Sequence, residues 1–357
     1  MKKVLSSFIA AVLISSAIYI PNTSSAASSD VLTINLDNRM INLDTKAVMK
    51  NETPYLPIYL TKTWAGVKLN WNQKSKEVTI KVDGKTYRIK NGSNAVVAGE
   101  QTITLDNPVY IVNGRVMIPS SLLQQMTGVN VQLNEEYRTL TINSKGRSPV
   151  AVADTRTDIK LFGKNVKDGL YHGLELEIDG KRHLYNWKTP LGWKEVPELL
   201  VNDLDQDGEP EVIVLLNQGS GTGIHAQDVH VIRMKDFKEI PVESQEETIK
   251  KWVTTELKKD GDLLQVSVHL KGKGSDVSLR IPGLEFVNES EMWFGGVIYH
   301  RAQNNQLIAS LGGSVYFSGV YIGNLDITYA FEQGQLVADK LEFTPFDEYK
   351  PYVQEQN

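Results

Sequence analysis

Residues 109–119 read Val-Tyr-Ile-Val-Asn-Gly-Arg-Val-Met-Ile-Pro. Two short apolar runs flank Asn113-Gly114, a pair that tolerates the positive φ angles of a type I′ hairpin turn. Pro119 closes the second run and opens a predicted short helix, Ser120 to Met126, because proline loses no useful N–H in a first helical turn. Gly128 then supplies a left-handed cap, Val129, Val131 and Leu133 alternate as a strand, and Leu140 and Ile142 alternate in the next.

The same pattern occurs earlier in the chain. Without a gap, Ile41 to Ile80 aligns with Ile103 to Ile142, 62 positions on (Pro57 to Pro119). Identical pairs include Leu43/Leu105, Asp44/Asp106, Asn51/Asn113, Pro57/Pro119, Leu60/Leu122, Gly66/Gly128, Asn72/Asn134 and Thr79/Thr141. A period of this kind marks a duplicated supersecondary unit. Each copy is expected to run hairpin, short helix, hairpin, and Asp83-Gly84 adds a further turn into Thr86 to Ile89.

The residues Asn113, Gly114, Pro119, Leu122, Gly128, Val129, Thr141 and Ile142, with their first-copy partners, resemble the stalk domain named for the N-terminal domain of copper amine oxidases. The resemblance spans about 31–143 and implies a structural or adhesive module of the kind carried by secreted Gram-positive proteins. It does not bring oxidase chemistry. No Asn-Tyr dipeptide is present to supply a quinone, and all six histidines (172, 183, 225, 230, 269 and 300) fall outside this region. No copper and no amine oxidase activity are expected.

The chain begins with Lys2-Lys3, an apolar stretch from Val4 to Ile20, Pro21 and Ser24-Ser25-Ala26. Charge, apolar stretch and small residues in that order read as a secretory signal over 1–26, cut after Ala26 or Ala27; retention as an anchor is the alternative. No later segment is long and apolar enough for a helical span, so the mature chain is expected to have no transmembrane segment and to be secreted, or held at the cell surface.

The 357 residues carry 38 Lys+Arg against 43 Asp+Glu, a formal charge of −5. Loss of the leader lowers this to about −7, leaving no basic excess for nucleic acid. Cysteine is absent, which excludes disulfides, thiol nucleophiles, thiolate metal sites and lipid attachment through an N-terminal Cys.

Residues 144–153, with Gly146, Ser148 and Pro149, read as a linker into a second domain over 154–347, followed by a polar tail, 348–357. Strand patterns dominate this half, with Val212 to Leu216 a continuous apolar run suited to a central strand. Ser244 and Glu247 form a capping-box pattern ahead of Ile249, Trp252, Val253 and Leu257, predicting one long helix from Ser244 to Leu257. The expected class is α+β, a duplicated stalk followed by a mainly antiparallel β domain with that helix.

The sharpest chemical motif is Asp203-Leu-Asp205-Gln-Asp207-Gly208-Glu209-Pro-Glu211. Carboxylates at loop positions 1, 3, 5 and 9, a carbonyl at position 7 (Glu209) and a glycine at position 6 can enclose a hard cation, and oxygen-only ligation favours Ca²⁺. An EF-hand would place Glu at position 12, which is Val214, and a strand follows instead of a helix. The motif resembles the calcium loops of FG-GAP and VCBS repeats, in a single copy. The alternative is an acidic turn.

Three weaker features accompany it. Gly219 to Gly223 is a glycine-rich loop without a phosphate-loop Lys; His225, Asp228 and His230 read as scattered polar residues at a strand start, with a second metal or acid–base site as the alternative; Tyr185, Trp187 and Trp193 are placed for sugar stacking or core packing. The combined expectation is a non-catalytic envelope protein with a calcium-stabilised second domain and a wall polymer or surface protein as partner. The alternative is a secreted hydrolase acting on envelope glycan.

Overall fold

The computed structural model describes residues 30–191, 196–284, 287–316 and 319–354. The predicted leader, its cleavage point and Trp193 lie outside the described residues.

The duplicated domain comprises β1 (Val31–Leu36), β2 (Arg39–Ile41), β3 (Ala47–Lys50), β4 (Thr53–Pro57), a 3₁₀ turn (Ile58–Thr61), β5 (Val67–Asn72), β6 (Glu77–Val82), β7 (Lys85–Lys90), β8 (Ala95–Ala98), β9 (Gln101–Thr104), β10 (Tyr110–Val112), β11 (Arg115–Pro119), α1 (Ser120–Thr127), β12 (Asn130–Asn134) and β13 (Thr139–Asn143). Hairpin registers recur at the 62-residue offset: Ile34 opposes Ile41 as Val96 opposes Ile103, Val48 opposes Tyr55 as Tyr110 opposes Met117, and Leu69 opposes Ile80 as Val131 opposes Ile142. The unit therefore extends to β1 and β8, upstream of the aligned residues.

The halves exchange partners. β4 of the first copy pairs with β11 of the second, placing Leu56 opposite Ile118. β13 returns to β1 as the domain's parallel pairing, Thr33 to Thr139 through Leu36 to Ile142. At the counterpart place β7 is inserted between β6 and β8. The turn that makes this extra strand is Asp83-Gly84, with φ of 48° and 87°, and Asn113-Gly114 shows 48° and 74°. Gly128, at φ 70°, caps α1 as its sequence position requires. In the first copy the turn after Pro57 is only a 3₁₀ segment capped by Lys62, and Gly66 lies beyond it.

The second half contains β14 (Ala151–Val152), β15 (Lys160–Gly163), β16 (Val166–Lys167), β17 (Leu170–Ile178), β18 (Lys181–Pro190), β19 (Glu198–Asn202), β20 (Glu211–Gly221), β21 (Ile224–Arg233), β22 (Glu239–Ile240), α2 (Gln245–Trp252), β23 (Thr254–Asp260), β24 (Leu263–His269), β25 (Val277–Pro282), β26 (Trp293–Gln303), β27 (Gln306–Ser314), β28 (Tyr321–Glu332) and β29 (Gln335–Pro345). A long sheet ordered β19-β20-β21-β26-β27-β28-β29 lies between two smaller ones, β14 to β18 and β23 to β25. β20 explains the arrangement. Val212, Val214 and Leu216 enter the core shared with β17 and β18, while Ile213 and Leu215 enter the core shared with β24, β25 and β28. Both faces are covered, which is why its sequence is continuously apolar.

The α+β expectation and its long helix are corrected. The described residues are 57% strand and 7% helical, with two short α-helices among them. Ser244 does cap α2, accepting from the Glu247 amide at 3.2 Å. The helix stops at Trp252, and Val253 is already extended at φ −114°, ψ 135°. Val253, Thr254 and Thr255 are three successive β-branched residues, which favour a strand. Leu257, placed on the helix by its spacing, instead pairs with Val266 in a hairpin that turns at Gly261.

Residues 144–153 are held on both sides. Arg147 contacts Ala65 O and Asp83, and the Arg39 guanidinium donates to Pro149 O at 2.9 Å and Val150 O at 3.0 Å. Val150 and Ala153 belong to the β17–β20 core.

Candidate metal centre

The hairpin β19–β20 ends with Asn202 opposite Glu211, and residues 203–210 form its loop. Leu204 anchors the loop in the core, 2% exposed. Around it the carboxylates organise the backbone. Asp203 Oδ2 accepts from Gly208 N (3.2 Å), Asp205 Oδ1 from Asp207 N (3.2 Å), Asp207 Oδ1 from Glu209 N (2.8 Å) and Glu211 Oε2 from Leu204 N (2.9 Å). Gln206 at φ 58° and Gly208 at φ 90° give the reversals that such a loop needs.

Three of the four sequence-selected carboxylates converge. Asp203, Asp205 and Glu211 each present an oxygen within 4.8 Å of the others. Two oxygens bound to one Ca²⁺ at 2.3–2.6 Å can be at most about 5 Å apart, so this spacing fits a shared ion. Glu211 is 1% exposed, and its Oε1 has no hydrogen-bond partner; Asp203 Oδ1 and Asn202 Oδ1 are also buried and unpartnered. Burial raises the Glu211 carboxyl above its ordinary 4.5, and the Asp205 and Asp207 charges add to this. A buried carboxylate with an orphan oxygen beside two further carboxylates is a donor set that can accept a cation.

The Asp207 carboxylate turns elsewhere, as does the side chain of Glu209, whose expected ligand atom is its backbone carbonyl. Lys235 Nζ lies 3.7 Å from a carboxylate oxygen of each. The Asp207 carboxyl is lowered, first by the Glu209 amide and then by Lys235. Sequence reasoning missed both Lys235 and Asn202. Asn202 directly precedes the first loop position and could have been noticed; Lys235 arrives only through the β20–β21 hairpin.

Among the described residues the weaker features do not assemble into one site. His225 stacks on Tyr299 at 4.2 Å, whereas His230 Nδ1 lies 2.6 Å from Glu239 and its ring stacks on Trp187. Tyr185 and Trp187 stack face to face at 3.9 Å and pack on the β17–β20 core, so they act as core aromatics. Gly221 and Ile224 close the β20–β21 hairpin, making the glycine-rich loop its tip.

Residues 35–142 match the family model of the copper amine oxidase N-terminal domain. This domain is a non-catalytic, stalk-like module, and here it is the exchanged, duplicated β structure described above. Within the matched residues there is no histidine, so the stalk carries none of the imidazole ligands that a copper centre of that enzyme type requires. No curated protein matches the chain. No helix among the described residues is long and apolar enough to cross a membrane.

Proposed function

We propose that this is an exported, non-catalytic protein of the cell envelope, in which the stalk domain carries a β domain stabilised by Ca²⁺. The observation behind the calcium reading is the unpartnered Oε1 of buried Glu211, facing Asp203 and Asp205. Those three side chains, with Asn202, would hold the ion. The bound charge would offset three carboxylates and pin the β19–β20 hairpin, the strand pair between the two cores of this domain. Export rests on the leader-like residues 1–26, and a wall polymer or surface protein is the partner class that suits a stalk. A hydrolase reading has less support, because the histidines that would serve it are separated and engaged in ring stacks.

Thermal unfolding in millimolar Ca²⁺ and in excess chelator tests the calcium reading. With a dissociation constant tenfold below the free calcium, binding adds about 1.4 kcal/mol. The transition of the second half should rise with calcium, and Asp205→Ala should remove the rise. Superimposable curves would leave only an acidic turn. Fractionation of the producing cells tests export: the chain should leave the cytoplasm.

A further inference from the structure

The duplication provides an internal control, since most positions of one copy have a counterpart in the other. One groove differs sharply from its twin. In the first copy a cavity of about 250 Å³ lies between the end of β5 and the β10–β11 turn, lined by Tyr59, Lys62, Leu69, Trp71, Gly114 and Arg115. Trp71 is 40% exposed, and its indole N–H donates to Gln73 at 2.9 Å, which fixes the ring. Arg115 lies over the Tyr59 ring at 4.6 Å, and both are tied to Asp44, each at 2.6 Å. Lys62 is exposed, and among the described residues no carboxylate pairs with it.

At the 62-residue offset the same places hold Ser121 for Tyr59, Gln124 for Lys62, Leu133 for Trp71, Glu52 for Gly114 and Thr53 for Arg115. Fold maintenance explains what the copies share. It does not explain why one groove has an exposed indole, an aromatic–guanidinium pair and a free ammonium, while its twin has a leucine, uncharged polar groups and an acid.

We propose that the groove at Trp71 binds an acidic glycan, a chain of pyranose rings bearing a carboxylate. Trp71 offers an apolar ring face to sugar C–H groups, and Tyr59 with Arg115 walls the other side. Arg115 is already neutralised by Asp44, so Lys62 supplies the one uncommitted charge, matched to a monoanionic carboxylate. A polyol phosphate would satisfy Lys62 but has no ring for Trp71. The groove adjoins a larger cleft of about 940 Å³ that shares Tyr59, Lys62 and Arg115 and reaches Pro149 and Pro197, leaving room for further sugar units. The inference deepens the envelope-binding reading and does not depend on calcium.

Affinity electrophoresis of the full chain tests it, using gels containing polygalacturonate, a neutral cellulose ether or poly(glycerol phosphate), alongside co-sedimentation with isolated cell walls. Polygalacturonate should retard the protein, the other two polymers should not, and added salt should weaken retardation. Trp71→Ala and Lys62→Gln should each raise the dissociation constant about tenfold or more, while Gln124→Ala, in the twin groove, should leave it unchanged. Circular dichroism of each variant separates lost binding from lost folding. Absent retardation, equal retardation by a control polymer, or indifference to Trp71→Ala and Lys62→Gln overturns the groove. Wall binding that survives both substitutions would leave the envelope reading standing without this site; a parent chain showing neither wall binding nor polygalacturonate retardation would remove both.

Discussion

Leu56 on β4 and Ile118 on β11 face each other directly, and each is the other's counterpart in the repeat. Both are completely buried. A residue can oppose its own counterpart only where an approximate two-fold axis passes between the strands, so this pair marks the axis of the stalk domain. The exchange of hairpins then resembles a dimer folded within one chain: neither copy completes its sheet alone.

Truncation at the axis should therefore damage both copies. Leu56→Ala and Ile118→Ala should each cost about 2–5 kcal/mol in chemical denaturation, as full loss of a buried aliphatic side chain does. The double variant should cost less than the sum, because both deletions open one shared cavity. Strict additivity would show that the two sites do not communicate across the axis.

The local parts of this architecture were readable from the chain. Asn113-Gly114 declared a hairpin through its turn chemistry, Gly128 declared a helix end, and Val212 to Leu216 declared a central strand. The failures share one cause, contact between distant residues. Ile249, Trp252, Val253 and Leu257 satisfy helical spacing, yet 253, 255 and 257 equally satisfy strand alternation, and pairing with β24 decides the matter. The parallel closure of β1 with β13 joins residues more than a hundred positions apart and leaves no local trace. At the candidate metal centre the acidic loop was legible, but its division was not: Lys235 draws the Asp207 carboxylate, and with it the Glu209 side chain, away from the converging carboxylates.

Segment 144–153 has a composition that reads as flexible, while its contacts hold it in place. Arg39 is the clamp, donating to two successive carbonyls, Pro149 O and Val150 O. The parent chain should resist limited proteolysis at 147–153, and Arg39→Ala should speed cleavage there several-fold, with little change at other sites. Rapid cutting of the parent at this segment would show that the clamp opens readily in solution.

His300 should govern acid sensitivity. It is 7% exposed, and burial lowers its pKa from 6.5 to about 4. Its Nε2 lies 2.8 Å from the Gln245 side-chain amide nitrogen, so that ring nitrogen accepts and Nδ1 carries the proton toward Gln227 Oε1. The unfolded chain protonates this imidazole near 6.5 and the folded chain does not. Its contribution is thus complete above pH 6.5 and is lost as pH falls toward 4, by at most about 1.4 kcal/mol per unit. Urea unfolding in saturating calcium should show that slope between pH 6.5 and 4.5, and His300→Gln should flatten it. An unchanged slope would place the acid sensitivity in other groups.

Glu211 allows a test in which one substitution moves stability in opposite directions. Without an ion, its buried carboxylate carries an unpartnered oxygen, and burial raises its pKa. A raised carboxyl stabilises the fold while protonated, and that stabilisation is lost as pH climbs through the raised value. In chelator the parent should consequently gain stability between neutral pH and the ordinary carboxyl range near 4.5, apart from the opposing contribution of His300. Glu211→Gln removes the charge and keeps an acceptor for the Leu204 amide. In chelator at pH 7 the variant should melt above the parent, because no buried carboxylate is left uncompensated. In millimolar Ca²⁺ the order should reverse: the parent gains the binding contribution and the variant, lacking a charged ligand, does not. Calorimetry of both chains with and without calcium reads all four states. A variant less stable than the parent in chelator would make Glu211 a structural acceptor, and a calcium gain retained by the variant would put the ion elsewhere.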